Sequence, residues 1–357
     1  MRKGRHGPRG LCRPLFLRFF QNEDYGSPAA SGLRRFAALI PLALFGACSF
    51  GDSYGDCGLY LHFTYEYNMA AADASREIDR IDLLVFDADG TYLFTETAGR
   101  EELGRTDYTL PLHERLSPGT YMFLVWGGLS DDFRLSDVRS ATADLQPGKT
   151  RLEDVRLTLT RVAQGVCDAE LHPVWYAAPR TIAYDPGAGR RTHTIDLMKD
   201  TNRFRISLTE EGTSRADASS GGRSPYTFEI VSAGHEAYDA DNRPVGADSV
   251  SFLPYRISGD LTGAAGELNT MRLLEDVPCR LVVRSVYDPD NILWSRDLIG
   301  LLEQTRPSGI ASLQEYLDRQ DEWTLFFNYK GDAFSGTFVA LSVTINGWTI
   351  WFQGSDL

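Results

Sequence analysis

Short runs of alternating apolar and polar residues, each closed by a turn, constrain this chain more than any other feature. In GLYLHFTYEY (58–67), Leu59, Leu61, Phe63, Tyr65 and Tyr67 alternate with Tyr60, His62, Thr64 and Glu66. A period of two lays one row of side chains on each face of a strand. The pattern returns in IDLLVF (81–86), in TYMFLVW (120–126) after the Pro118-Gly119 turn, and in VRLTLT (155–160), where Val155, Leu157 and Leu159 share a face. RFRISLT (203–209), YTFEIV (226–231), CRLVVRSV (279–286) and WTLFFNY (323–329) continue it. Many short strands separated by turns specify an all-β fold built of sandwiches. Helical periodicity is sparse. Its best instance is SGIASLQEYLDRQ (308–320), where Ile310, Leu313, Tyr316 and Leu317 share a face and Ser312 with Glu315 has capping-box spacing.

A chain of 357 residues, 43% of them hydrophobic, can bury a sizeable core. At roughly 150 residues per domain it divides into two. The boundary is expected near residue 197, where TIDLMKDTNRFRISL follows the Gly-rich turn DPGAGRR. That gives an N-terminal sandwich over 48–197 and a C-terminal one over 198–357. Residues 210–225, EEGTSRADASSGGRSP, form a flexible loop inside the second domain by composition.

Charge is unevenly placed. Residues 1–47 hold eight Lys/Arg against Glu23 and Asp24, a net of +6, so the rest of this −13 chain stands at −19. An acidic body of that size argues against a nucleic-acid partner, which requires a basic footprint. The basic head instead suits export: Arg34-Arg35 precede ten largely apolar residues, FAALIPLALF, and then Gly46-Ala47 before Cys48. Those are the n-region, h-region and cleavage site of a signal peptide over 1–47. Ten residues are too few to span a bilayer, which takes about 20 as a helix. LFGAC is similar to a lipobox with Phe45 in place of the usual Leu, which makes Cys48 the expected lipidated residue; an ordinary signal peptide ending at the same point is the alternative.

VFDADGTYLF (85–94) is ambiguous on its face, because D-A-D-G-T is similar to the first motif of haloacid-dehalogenase phosphatases. In those enzymes it ends a buried strand and opens a helix. Here YLFTET continues the alternation, so Asp89-Gly90 is expected at the tip of a hairpin. Asp87, Asp89 and Gly90 also lack the third acidic position and terminal Glu of a calcium loop. The six His are scattered without ligand spacing, and G-x-S-x-G, H-E-x-x-H, P-loop and C-x-x-C motifs are missing from the sequence. No catalytic residue, metal site, cofactor or small-molecule substrate is expected, and the chain is read as not an enzyme. The six Trp either pack the core or line a carbohydrate surface; strand positions favour the core. Of the mature cysteines Cys57, Cys167 and Cys279, the pair Cys57–Cys167 is the expected disulfide if one exists, against three buried thiols.

The order of these pieces resembles the FimB-type fimbrial anchor lipoproteins of Bacteroides-like bacteria, related to the fimbrillins. The carrying segments are Cys48, CGLYLHFTYEYN, IDRIDLLVFDADGTYL, PGTYMFLVWGGL, DLMKDTNRFRISL and the terminal GWTIWFQGSDL, spanning residues 48–357. The resemblance implies two tandem transthyretin-like β-sandwiches on an outer-membrane, surface-exposed lipoprotein that seats a fimbrium, terminates its growth and has fimbrillin shaft subunits as partners. A glycan-binding surface lipoprotein is the competing reading.

At the C-terminus Val339, Leu341, Val343 and Ile345 alternate up to Asn346-Gly347, and Trp348, Ile350 and Phe352 alternate after it. Asn-Gly is a preferred two-residue hairpin turn, so these strands pair within their own domain on the local signal. Fimbrillin-type assembly, as the resemblance implies it, passes a C-terminal strand to a neighbour. On that reading Trp348, Ile350 and Phe352 bind the partner.

Overall fold

The computed structural model describes residues 57–352 apart from 141, 212–224, 247, 261–262 and 333. The expected signal peptide, Cys48 and most of the 210–225 loop lie outside the described residues.

In the first half the elements are β1 (Gly58–Thr64), β2 (Arg80–Asp87), β3 (Tyr92–Gly99), α1 (Arg100–Leu103), β4 (Leu110–Pro111), β5 (Gly119–Gly127), β6 (Phe133–Asp137), β7 (Val155–Leu159), β8 (Val166–Cys167), β9 (Trp175–Tyr184), β10 (Arg190–Asp196) and β11 (Met198–Lys199). The second half continues with β12 (Asn202–Glu210), β13 (Tyr226–Ala233), β14 (Ala237–Tyr238), β15 (Pro244–Val245), β16 (Ser249–Phe252), β17 (Arg256–Asp260), β18 (Gly263–Thr270), β19 (Cys279–Ser285) and β20 (Asp288–Asp297). Helices α2 (Leu298–Glu303) and α3 (Leu313–Arg319) then lead to β21 (Glu322–Asp332), β22 (Thr337–Ile345) and β23 (Trp348–Trp351).

The fold is all-β, two sandwiches in tandem. In the first, the sheet β10-β1-β4 packs on the sheet β11-β9-β5-β2-β3, through Leu61, Phe63, Leu83, Val85, Phe123, Val125 and Trp175. Residues of opposite parity on the same strands, Leu84, Phe86, Leu124 and Trp126, are equally buried. They belong to a second cluster that runs through Leu157 into the other sandwich. The larger sheet of the first sandwich is thus covered on both faces, which is why LLVF is a continuous apolar run. Each such side chain contributes about 1.5–3 kcal/mol on burial.

In the second sandwich the sheet β17-β18-β12-β21-β22-β23 faces the sheet β20-β19-β13-β16-β8. A further sheet, β15-β14-β7-β6, joins the halves by pairing Ala237 with Thr158 and Tyr238 with Leu157. Strand β8, although early in sequence, pairs with β16, Phe252 opposite Cys167.

That placement corrects the expected disulfide. Cys167 and Cys279 are buried free thiols. Cys167 lies in the core that continues into the second sandwich, whereas Cys57 immediately precedes β1 of the first, so a Cys57–Cys167 bridge is not formed.

The capping residues behave as local chemistry requires. Ser312 Oγ accepts from Glu315 N at 3.1 Å at the start of α3. Asp87 Oδ1 accepts from Asp89 N at 3.0 Å and Thr91 N at 2.8 Å, while Gly90 takes a φ of 79°. β2 and β3 pair antiparallel on either side. Asp87 is therefore the acceptor that closes a hairpin turn, and no helix follows its strand.

Strand direction fixes the poles. β1 and β10 run parallel toward the junction, where Met69 N donates to Arg319 O at 3.0 Å and Lys199 pairs with Asp321 at 2.6 Å. β12 and β21, also parallel, leave it. The start of β1 and the ends of β12, β19 and β21 therefore point to opposite ends of the molecule.

Candidate functional site

The C-terminal hairpin forms one edge of the six-stranded sheet, with β23 outermost. Asn346 and Gly347 take φ of 46° and 92°, the left-handed pair that a two-residue hairpin turn needs. The turn is held to β21 by Asn346: its Oδ1 accepts from Thr324 N at 2.8 Å and its Nδ2 donates to Glu322 O at 3.2 Å. β23 pairs Trp348 with Ile345, Ile350 with Val343 and Trp351 with Ser342. In the described fold the terminal strand stays in its own domain.

The three residues expected to bind a partner separate on this strand. Ile350 and Phe352 are half-buried against the core, and Phe352 meets Trp294 edge-on with centroids 6.0 Å apart. Trp348, at the turn, is 66% exposed. Beside them is Trp351, 71% exposed on the opposite parity, so that it and Trp348 depart from the core position expected of the six Trp, and Trp351 was not among the residues expected to bind a partner. Its signal was available: a Trp on the solvent-facing row of a terminal strand. The other four Trp, Trp126, Trp175, Trp294 and Trp323, are core residues.

α2 also went unanticipated, although DLIGLLEQ carries its marks. Leu298, Leu301 and Leu302 are buried on one face, and Asp297 Oδ2 accepts from Gly300 N at 3.0 Å. A Cβ on Gly300 would meet that oxygen at 2.8 Å, so glycine permits the cap. Between α2 and β23 lies an open groove of about 420 Å³ lined by Arg296, Asp297, Leu301, Gln304, Ile350 and Trp351.

An outermost strand offers backbone donors and acceptors to another chain, and the neighbouring groove offers an apolar floor at Leu301 and Ile350. That combination suits strand addition. Among the described residues no three His, Cys, Asp or Glu converge as metal ligands, and no helix is long and apolar enough to cross a membrane.

A separate cleft of about 160 Å³ in the first sandwich is lined by His62, Asp73, Arg76, Arg105 and Tyr108. His62 Nδ1 lies 3.0 Å from Tyr108 O, and Asp73 accepts from Tyr65 N at 3.1 Å and Ser75 N at 2.9 Å. These contacts hold its carboxylate below the usual range against the opposing effect of partial burial.

Comparison with known proteins follows the same lines. The family model described as "Fimbrillin-A associated anchor proteins Mfa1 and Mfa2" matches residues 53–354. A candidate adhesin from Bacteroides ovatus is 31% identical, with a TM-score of 0.72 over 84% of this chain and 96% of that one. A candidate polysaccharide-binding protein from Bacteroides thetaiotaomicron is 29% identical, TM-score 0.71, over 84% and 100%. The fimbrial anchor protein Mfa2 from Porphyromonas gingivalis shares the fold at 18% identity, TM-score 0.62, over 83% and 99%. No curated protein matches.

Proposed function

Because the chain belongs to the fimbrillin-A associated anchor proteins, we propose that it is the lipid-anchored base of a fimbrium, seating the shaft on the outer membrane and ending its growth. The observation that carries this reading is the family match across both sandwiches. Cys48, acylated at the mature N-terminus, holds the membrane end; two or three acyl chains together hold a protein stably. The partner is a fimbrillin shaft subunit, received at the β23 edge.

Two modes of reception are available there. Donation would strip β23 from β22, withdraw Ile350 and Phe352 from the core and break the turn that Asn346 ties to β21. Addition leaves β23 in place and uses its outer edge, with Trp348 and Trp351 flanking the incoming strand. The hydrogen bonds of Asn346 and the contact of Phe352 with Trp294 favour addition.

The anchor is tested by labelled palmitate and membrane fractionation. Wild-type protein is expected to carry label and sediment with membranes, and Cys48→Ala to lose both. A Cys48→Ala protein that remains labelled and membrane-bound would reject the anchor at this residue. A glycan-binding role is the second reading, favoured by the polar cleft at His62 and Tyr108 and by the exposed Trp348 and Trp351. Saturable binding to a glycan array, lost on Tyr108→Ala, would support it.

A further inference from the structure

The pole of the second sandwich farthest from the junction ends in the turns that close β19–β20 and β21–β22. Tyr287 from one and Phe334 from the other stack with centroids 4.1 Å apart and planes at 19°. They nevertheless remain 51% and 71% exposed. Val286 and Ile292, on the Tyr287 hairpin, are 42% and 50% exposed. Turn tips are ordinarily polar, so a stacked pair of exposed rings joining two of them, with two further exposed apolar side chains on one of the hairpins, departs from scattered exposure.

The surroundings are acidic. Asp288 and Asp290 follow Tyr287, and Asp332 precedes the Phe334 turn. Among the described residues the nearby cations are engaged: Arg284 pairs with Glu229 at 2.8 Å and donates to the carbonyls of Pro289 and Asp290, and Lys330 lies 3.7 Å from Glu211. Two copies meeting tip to tip would oppose two acidic rims, which disfavours self-association. The patch also lies opposite the start of β1, where the chain arrives from its N-terminus.

We infer that this tip is a docking knob for a different protein, the shaft subunit next to the base, whose receiving surface is an apolar socket bordered by Lys and Arg. The inference rests on the anchor reading and deepens it by naming a second contact besides the β23 edge. An exposed Tyr-Phe pair supplies rigid contact area at its centre, and the rim supplies charge selection.

The test uses full-length lipoprotein in fimbriated cells lacking the native copy, reading attached against released fimbriae. The Tyr287→Ser/Phe334→Ser double variant is expected to reach the surface at wild-type levels, keep its melting temperature within a few degrees and lower the attached fraction at least about tenfold. Asp288→Lys/Asp290→Lys is expected to shed fimbriae as well. Retention by the double variant overturns the inference, and so does a fall in melting temperature above about 10 °C, which would mean that the rings pack within their own chain. If cells with no copy at all keep their fimbriae, the anchor reading itself fails; if those cells shed and the double variant holds, only the knob fails.

Discussion

Asp200, between β11 and β12, is wholly buried. Its Oδ1 accepts from Asn242 Nδ2 at 2.8 Å, while Oδ2 has no partner among the described residues. Burial pushes its carboxyl up to about 7, against the pull of Arg272 and the Asn242 hydrogen bond. Between about 4 and 7 the unfolded chain releases this proton and the folded chain keeps it, so Asp200 makes stability fall as pH rises through that window. His235, buried and pushed down to about 4, acts oppositely: stability is lost as pH falls from about 6.5 to 4, because only the unfolded chain takes up the proton. The two offset each other in the native protein. Asp200→Asn should therefore be more stable at pH 8, by on the order of 2–4 kcal/mol, and should gain stability from pH 4.5 to 6.5; urea midpoints that track wild type at every pH would refute this. Asp87 makes a simpler case. Asp87→Ala removes the acceptor from the Asp89 and Thr91 amides and should cost about 1 kcal/mol, with no magnesium-dependent phosphatase turnover in either protein. Turnover lost with Asp87 would reverse the hairpin assignment. This residue's role was legible because the turn is built from neighbours in sequence. Asp200 was not, because its burial depends on Asn242 and Arg272, far along the chain.

The C-terminal hairpin shows how far an element can be read from its sequence. Asn346-Gly347 and the alternation of Val339, Leu341, Val343 and Ile345 specify the turn and the pairing, and both are present. The groove beside β23 was hidden, since α2 comes from residues some fifty positions earlier and pattern cannot say where a helix docks. Likewise β8 reads as a fragment of the first half but pairs in the second sandwich, and that misled the disulfide assignment. If β23 receives a strand at its outer edge, Trp351→Lys should weaken fimbrial attachment while leaving the melting temperature within about 2 °C, because Trp351 is exposed and surface changes are usually within ±0.5 kcal/mol. Ile350→Asp should instead unfold the edge and lower the melting temperature. Equal attachment in both variants would move the contact away from β23.

For the whole molecule, the tandem organisation follows from the strand count and length, whereas the degree of coupling does not. A β7–β14 pairing, a β8–β16 pairing and one continuous apolar cluster cross between the halves, so residues 57–352 should unfold in a single transition and a 198–357 fragment should not fold alone. Two resolved transitions in calorimetry would contradict that coupling. Such coupling suits the proposed base of a fimbrium, loaded between a lipid anchor at one pole and a shaft at the other. The decisive experiment is to delete the chain in its own fimbriated host and measure, by electron microscopy, where the fimbriae are and how long they grow. Elongated fimbriae released into the medium are expected, with attachment and length restored by the wild-type chain and not by Cys48→Ala; fimbriae of normal length still fixed to the deleted cells would show that the chain is not their base.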